Sequence, residues 1–174
     1  LERAKTLGVL AVGEAIIDEY CYCEAIGKSS KEPMLAVKHL ETERFAGGIL
    51  AVANHIADFS DRAAVLTQIG DRDSRKDFIE SRLDSRVQRN FLVRADSPTI
   101  VKTRFIENYF FTKMLEVYEF NDAALEGLDD RQLCAALERE LPNYDLVIAV
   151  DYGHGMLSAQ AVEILCGRSR FLAV

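Results

Sequence analysis

The chain has 174 residues, 49% of them apolar, which is enough to fill one sizeable core and too many for a disordered chain. Lysine and arginine number 21 against 28 aspartates and glutamates, and the net charge of −7 excludes a broad cationic surface for nucleic acid. No apolar run nears the roughly 20 residues of a membrane span, and the first residues do not read as a signal peptide, so a cytoplasmic protein without membrane or nucleic-acid partners is expected.

Residues 7–13 are short, apolar and closed by Gly13, as a buried parallel strand requires. Residues 19–40 change character: two extended pieces, 20–26 and 34–40, flank a polar stretch with Pro33, the pattern of a hairpin excursion from the core. Gly47 and Gly48 open a helix to about Phe59, with Ile49, Val52, Ala53 and Ile56 at helical spacing. A strand over 63–69 and a helix over 74–83 continue a parallel α/β rhythm. Residues 87–93, 99–106 and 113–120 read as strands, the last two grouped with the excursion as a separate lid. Asp129 is the expected N-cap of a helix ending at Leu141 and Pro142, before a strand over 145–150 and a polar, glycine-rich loop over 151–155. A helix over 158–166 and a strand over 170–174 follow, and a chain ending on a core strand reads as a fragment.

Four cysteines, Cys21, Cys23, Cys134 and Cys166, are expected to be reduced, because a core of this size needs no staples. Cys21 and Cys23 share a strand face but have no second Cys or His pair nearby to complete a tetrahedral metal site.

Four constellations carry possible chemistry. Glu14 and Asp18 follow the first strand, where Asp18 can accept sugar hydroxyls or serve only as a turn residue. Gly47 and Gly48 begin a helix, whose free N–H groups favour an anion or hydroxyl oxygens, although a tight packing turn explains the pair equally well. Lys102 and Arg104, two apart on a strand, project from one face and can clamp a phosphate or simply meet solvent. Asp151 follows a buried strand at the sheet end where open α/β sheets place ligands, beside the titratable His154.

In sequence order, the 13–18 segment, the excursion closing on Ser30 to Pro33, the Gly47-Gly48 helix, the Pro98 to Arg104 strand and the 151–155 loop resemble the N-terminal half of ribokinase-like sugar kinases. The nearest likeness is to kinases of heptose 7-phosphate, some fused to a nucleotidyltransferase-like domain. The resemblance implies a Rossmann-like, mostly parallel sheet with a small β-sheet lid, truncated here, with residues 1–174 forming the substrate-binding half and lid strands at about 19–40 and 99–120. It further implies a sugar or sugar-phosphate substrate bound by Asp18, Gly47, Gly48, Lys102, Arg104 and Asp151, phosphoryl transfer from ATP with Mg²⁺, and a homodimer through the lid. The catalytic base and ATP site would belong to the half that follows, leaving this chain inactive alone.

Two departures stand out: Ala51 replaces an asparagine that touches sugar in the family, with Asn54 one turn later as the candidate to compensate, and His154 replaces a lysine. A non-catalytic sugar-phosphate-binding or dimerisation module therefore stays open beside the enzyme. A nucleotide-binding Rossmann domain is disfavoured, because Gly13 stands without a G-x-G-x-x-G pattern.

Overall fold

The computed structural model describes residues 5–174. Its first strand, β1 (Gly8–Gly13), carries only apolar residues and glycine because both of its faces are covered and all six residues are buried. It sits in the middle of a five-stranded sheet of order β5-β4-β1-β8-β9, in which every pairing is parallel. The partners are β4 (Arg62–Arg72), β5 (Gln88–Pro98), β8 (Leu146–Val150) and β9 (Leu172–Ala173). Alternation along β1 sends Val9 and Ala11 into one core layer and Leu10 and Val12 into the other. The first layer includes residues of α1 (Ile49–Ala57) and α2 (Lys76–Arg82), the second those of α3 (Gly127–Glu140) and α4 (Ala159–Arg168).

A second sheet of order β3-β2-β6-β7 is built from β2 (Ala15–Lys28), β3 (Leu35–Gly48), β6 (Ile100–Glu107) and β7 (Thr112–Glu119). Only β2 and β6 run parallel in it. It is less separate than expected. Ala15, Ile17 and Val101 at its base belong to the main core, with Ala46 packed against them, while Ile26, Leu35 and Leu115 further out are exposed. The excursion accordingly runs over 15–48 rather than 19–40, since its ladder continues through the apolar base until Ala15 pairs with Gly48.

Other boundaries shift for local reasons. The strand expected at 87–93 extends to Pro98 and forms an edge of the main sheet, and a single residue, Thr99, then carries the chain into β6. Helix α2 starts at Lys76 because Arg75 stands at φ 51, in the left-handed region. The N-cap of α3 is Glu126, not Asp129, whose carboxylate instead accepts the Ala95 N–H at 3.4 Å from within the first turn. The strand expected over 170–174 is two residues long. The cysteines are free, with Cys21, Cys23 and Cys134 buried and Cys166 exposed. Among the described residues no helix is long and apolar enough to cross a membrane.

Two of the crossings between the sheets are made by single residues, Glu14 and then Thr99, 3% and 1% exposed. At the second crossing Gly70 donates to Thr99 Oγ1 at 3.0 Å, Thr99 donates to the Ser74 carbonyl at 2.7 Å, and Asp71 accepts the N–H groups of Asp96 and Ser97. Those bonds, the one from Asp96 first, hold the Asp71 carboxyl below its ordinary value.

A Cβ on Gly70 would lie 2.1 Å from the Ser97 carbonyl oxygen and 2.3 Å from the Pro98 carbonyl carbon, both backbone. Gly70→Ala is therefore expected to destabilise the whole protein by about 3 kcal/mol. Gly167→Ala, at an exposed position of α4 with nothing within 4 Å, should stabilise by roughly 0.5 kcal/mol. Urea midpoints at unchanged m-value check both.

Candidate functional site

The site begins at the first crossing. Glu14 leaves β1 pointing along the C-terminal end of the sheet, where its two carboxylate oxygens accept the N–H groups of Tyr152 at 3.0 Å and His154 at 3.2 Å. Its backbone carbonyl accepts the Ile49 N–H at 2.9 Å, the first donor of α1. One residue thus ties the end of β1, the start of α1 and the loop after β8. Asp151 in that loop is exposed and accepts the Gly153 N–H at 2.8 Å, an Asx-type turn that shapes the loop.

The lid supplies the second part. On β2, Asp18, Tyr20 and Tyr22 share one face by the two-residue period, and register places Lys102 beside Asp18 and Arg104 beside Tyr20. On β7, Glu116 stands opposite Arg104 and Tyr118 opposite Lys102. The four charges interlock. Arg104 Nη1 donates to Asp18 Oδ1 at 2.6 Å, and Arg104 Nε donates to Glu116 Oε2 at 2.7 Å. Lys102 Nζ lies 3.4 Å from Glu116 Oε1, which also accepts the Tyr118 hydroxyl at 2.7 Å. Tyr118 gives its ring face to Lys102 at 4.7 Å, and Tyr20 gives its own to Arg104 at 5.2 Å.

These contacts set the protonation of the cluster. The Tyr118 hydrogen bond, then Lys102 and Arg104, hold the Glu116 carboxyl below its usual value against partial desolvation. Tyr118 and then Glu116 raise the Lys102 ammonium against burial. Burial opposes the Arg104 charge, and Asp18 more than offsets it, so the guanidinium is held upward.

Asp18 and Gly47 come together across the β2–β3 ladder. A Cβ on Gly47 would fall 2.0 Å from Asp18 Oδ2, so glycine is what lets the carboxylate lie against the β3 backbone. Gly48 makes the turn into α1 at φ 57, where a Cβ would meet the Glu14 carbonyl oxygen at 2.4 Å. Lys102 and Arg104 do share a face, already paired with carboxylates. The Asp151 loop meets this face through His154, whose ring centre is 5.0 Å from Phe120 and 6.1 Å from Tyr118. Asn54 points elsewhere: its amide donates to the Arg82 carbonyl and accepts the Asp84 N–H, both at 2.9 Å, closing the end of α2.

Sequence reasoning missed Glu116, Tyr118 and Tyr20, and it saw Glu14 without its partners. The alternation of Glu116 and Tyr118 with Leu115 and Val117 shows a strand face, but only the β6–β7 register shows what that face meets.

Both the fold and the sequence have known relatives. The structure of Arabidopsis thaliana ribokinase complexed with ribose and ATP superposes over 97% of this chain and 54% of its own length, with TM-score 0.59 at 15% identity. Ribokinase from Thermotoga maritima does so over 82% and 44%, with TM-score 0.53 at 18% identity. The chain therefore has the ribokinase-like carbohydrate-kinase fold. By sequence it is 34% identical over 160 residues to the bifunctional protein HldE of Rhodopseudomonas palustris, covering 89% of this chain and 32% of that protein. It is 30% identical over 163 residues to HldE of Vibrio vulnificus, covering 94% and 33%. The chain is a homologue of the N-terminal part of HldE and spans about a third of the length of the relatives it matches. No protein-family model matches it.

Glu14→Ala removes the acceptor for two part-buried backbone donors and is expected to loosen the 151–155 loop by about 1–3 kcal/mol per donor left without a partner. Amide exchange at Tyr152 and His154 should accelerate at least about tenfold, a change of 1.4 kcal/mol or more. Glu14→Gln, which keeps the shape and one acceptor oxygen, should fall between. Unchanged protection in Glu14→Ala would detach the loop from Glu14.

Proposed function

We propose that the chain is the acceptor-binding half of an ATP-dependent carbohydrate kinase whose substrate is a sugar phosphate of the heptose 7-phosphate type. The observation that carries this reading is the Asp18 carboxylate lying over Gly47 and held by Arg104, with Lys102 beside it, on the lid face that meets the loop after β8. In this reading Asp18 accepts sugar hydroxyls, and Gly47 and Gly48 let the sugar approach the backbone. Lys102 and Arg104 take the substrate's phosphate, while Asp151 and its loop border the place of phosphoryl transfer. The γ-phosphoryl group passes from ATP to a sugar hydroxyl, the O–P bond to ADP breaks, and the hydroxyl proton goes to a base.

Among the described residues no three His, Cys, Asp or Glu side chains converge as a metal site, so none is assigned to Mg²⁺. The base, ATP and its metal are placed in the further length that the relatives carry. The name bifunctional given to HldE supports a fused second domain; its nucleotidyltransferase type and a cytoplasmic location are proposed with it. The exposed apolar side chains of the lid, among them Leu35, Phe111 and Leu115, support a homodimer formed through it. A sugar-phosphate-binding or dimerisation module without catalysis is the second reading. It is favoured by Ala51 together with an Asn54 committed to α2, which leaves no amide on α1 to orient a sugar.

An ADP-release assay separates the two readings. The whole protein should turn over heptose 7-phosphate, and residues 1–174 alone should not, because in-line transfer needs donor, metal and base in one geometry. Lys102→Ala should raise KM for the sugar phosphate about tenfold and leave that for the unphosphorylated sugar nearly unchanged. No turnover by the whole protein with any sugar or sugar phosphate would remove the enzyme reading, and equal KM changes would remove the clamp. Light scattering of the whole protein should give twice the monomer mass, falling to one with Leu115→Glu.

A further inference from the structure

Lys102 and Arg104 are not waiting empty. Glu116 takes the position an anion would occupy between them, with Oε2 at 2.7 Å from Arg104 Nε, and Oε1 at 3.4 Å from Lys102 Nζ and 2.7 Å from the Tyr118 hydroxyl. With Asp18 on the other edge of the guanidinium, two cations face two carboxylates and the cluster carries no net charge. A free anion approaching it finds no attractive field and must first remove a carboxylate that already has three donors.

We propose that Glu116 is the built-in counter-ion of the phosphate subsite and the residue that sets its selectivity: it yields Lys102 and Arg104 to a phosphate carried on a sugar and withholds them from free inorganic phosphate. The proposal rests on the reading of the lid face as a sugar-phosphate site. Two features single out Glu116 rather than Asp18 as the group that leaves. Glu116 stands on β7, an edge strand of the lid, with its side chain 36% exposed, so it can turn into water. Asp18 is 23% exposed and packed over Gly47.

A sugar phosphate also brings hydroxyl groups to Asp18 and an apolar ring face to the wall formed by Tyr20, Tyr22 and Phe45. Those contacts hold its phosphate at high effective concentration beside the cluster, which inorganic phosphate cannot match. Discrimination of this kind comes from a repulsive element that only the right ligand can offset. Glu116 acts by positioning and charge and needs no contact with the transferred group.

The test uses the full-length protein, with inorganic phosphate as probe, followed by calorimetry and ³¹P NMR. Glu116→Gln keeps the size and removes the charge, and should bind inorganic phosphate at least about tenfold more tightly than the wild type. Lys102→Met in the Glu116→Gln background should abolish the gain. In the kinase assay Glu116→Gln should lower KM for the sugar phosphate with kcat unchanged, make inorganic phosphate a competitive inhibitor, and leave KM for the unphosphorylated sugar as it was. Glu116→Thr, suited to an edge strand, repeats the binding measurement should the Gln variant fold poorly. Equal phosphate affinity in wild type and both variants overturns the proposal, as does weaker sugar-phosphate binding in Glu116→Gln, which would make Glu116 a substrate contact. A Lys102-dependent gain in phosphate binding without any turnover upholds the counter-ion and removes only the kinase reading. Turnover with no gain does the reverse.

Discussion

Glu14 is the only residue between β1, the central strand of the main sheet, and β2 of the lid, and it is buried. A carboxylate in that position is tolerated only if its oxygens are satisfied, and the satisfying groups are backbone donors of a loop about 140 residues later in the chain. Its own carbonyl meanwhile fixes the first N–H of α1. The angle of the lid, the start of the helix and the course of the loop after β8 are therefore set together. The alternatives leave a buried polar group without a partner.

From that anchor the lid extends as a lever. Its base shares the core through Ala15, Ile17 and Val101, and its outer strands carry exposed apolar residues. The charged cluster lies between these regions, where Arg104 is only 12% exposed. Exposed ion pairs taken singly add little. A guanidinium gripped from two sides and stacked on Tyr20 restricts the relative motion of β2, β6 and β7, and this defines the face before any ligand arrives. Because the chain as a whole carries net charge −7, any attraction for an anion has to be made locally, by freeing those two cations.

The parallel core was legible because uninterrupted apolar runs such as Gly8–Gly13 and Leu146–Val150 have few other homes. Helix and strand types were also legible, whereas their ends were not. The excursion reached back to residue 15 because its base is apolar, and Asp129 lost the cap to Glu126 by folding back onto Ala95. Within the site, Asp18, Lys102 and Arg104 were visible as residue types on strand faces. That Asp18 pairs with Arg104, and that Glu116 closes the cluster, depends on registers between strands up to 86 residues apart. Asn54 illustrates the same limit: its spacing from Gly48 fits a ligand contact, but its partners lie at the far end of α2.

Those placements shift the polar inventory of the face from the helix to the strands. At the start of α1 the first N–H is taken by Glu14, Ala51 offers no polar group, and Asn54 holds α2. Side chains of this face able to exchange hydrogen bonds with a polyol stand on β2, β6 and β7, with His154 of the loop after β8 beside them. Strand side chains alternate rigidly and sit on backbones fixed by their ladders, so they present charge at set intervals across a flat face. A helix start would instead concentrate donors at one point. A ligand on such a face is matched along its length, hydroxyls toward Asp18 and anionic end toward Lys102 and Arg104, and discrimination is exercised at the cluster, where Glu116 already competes.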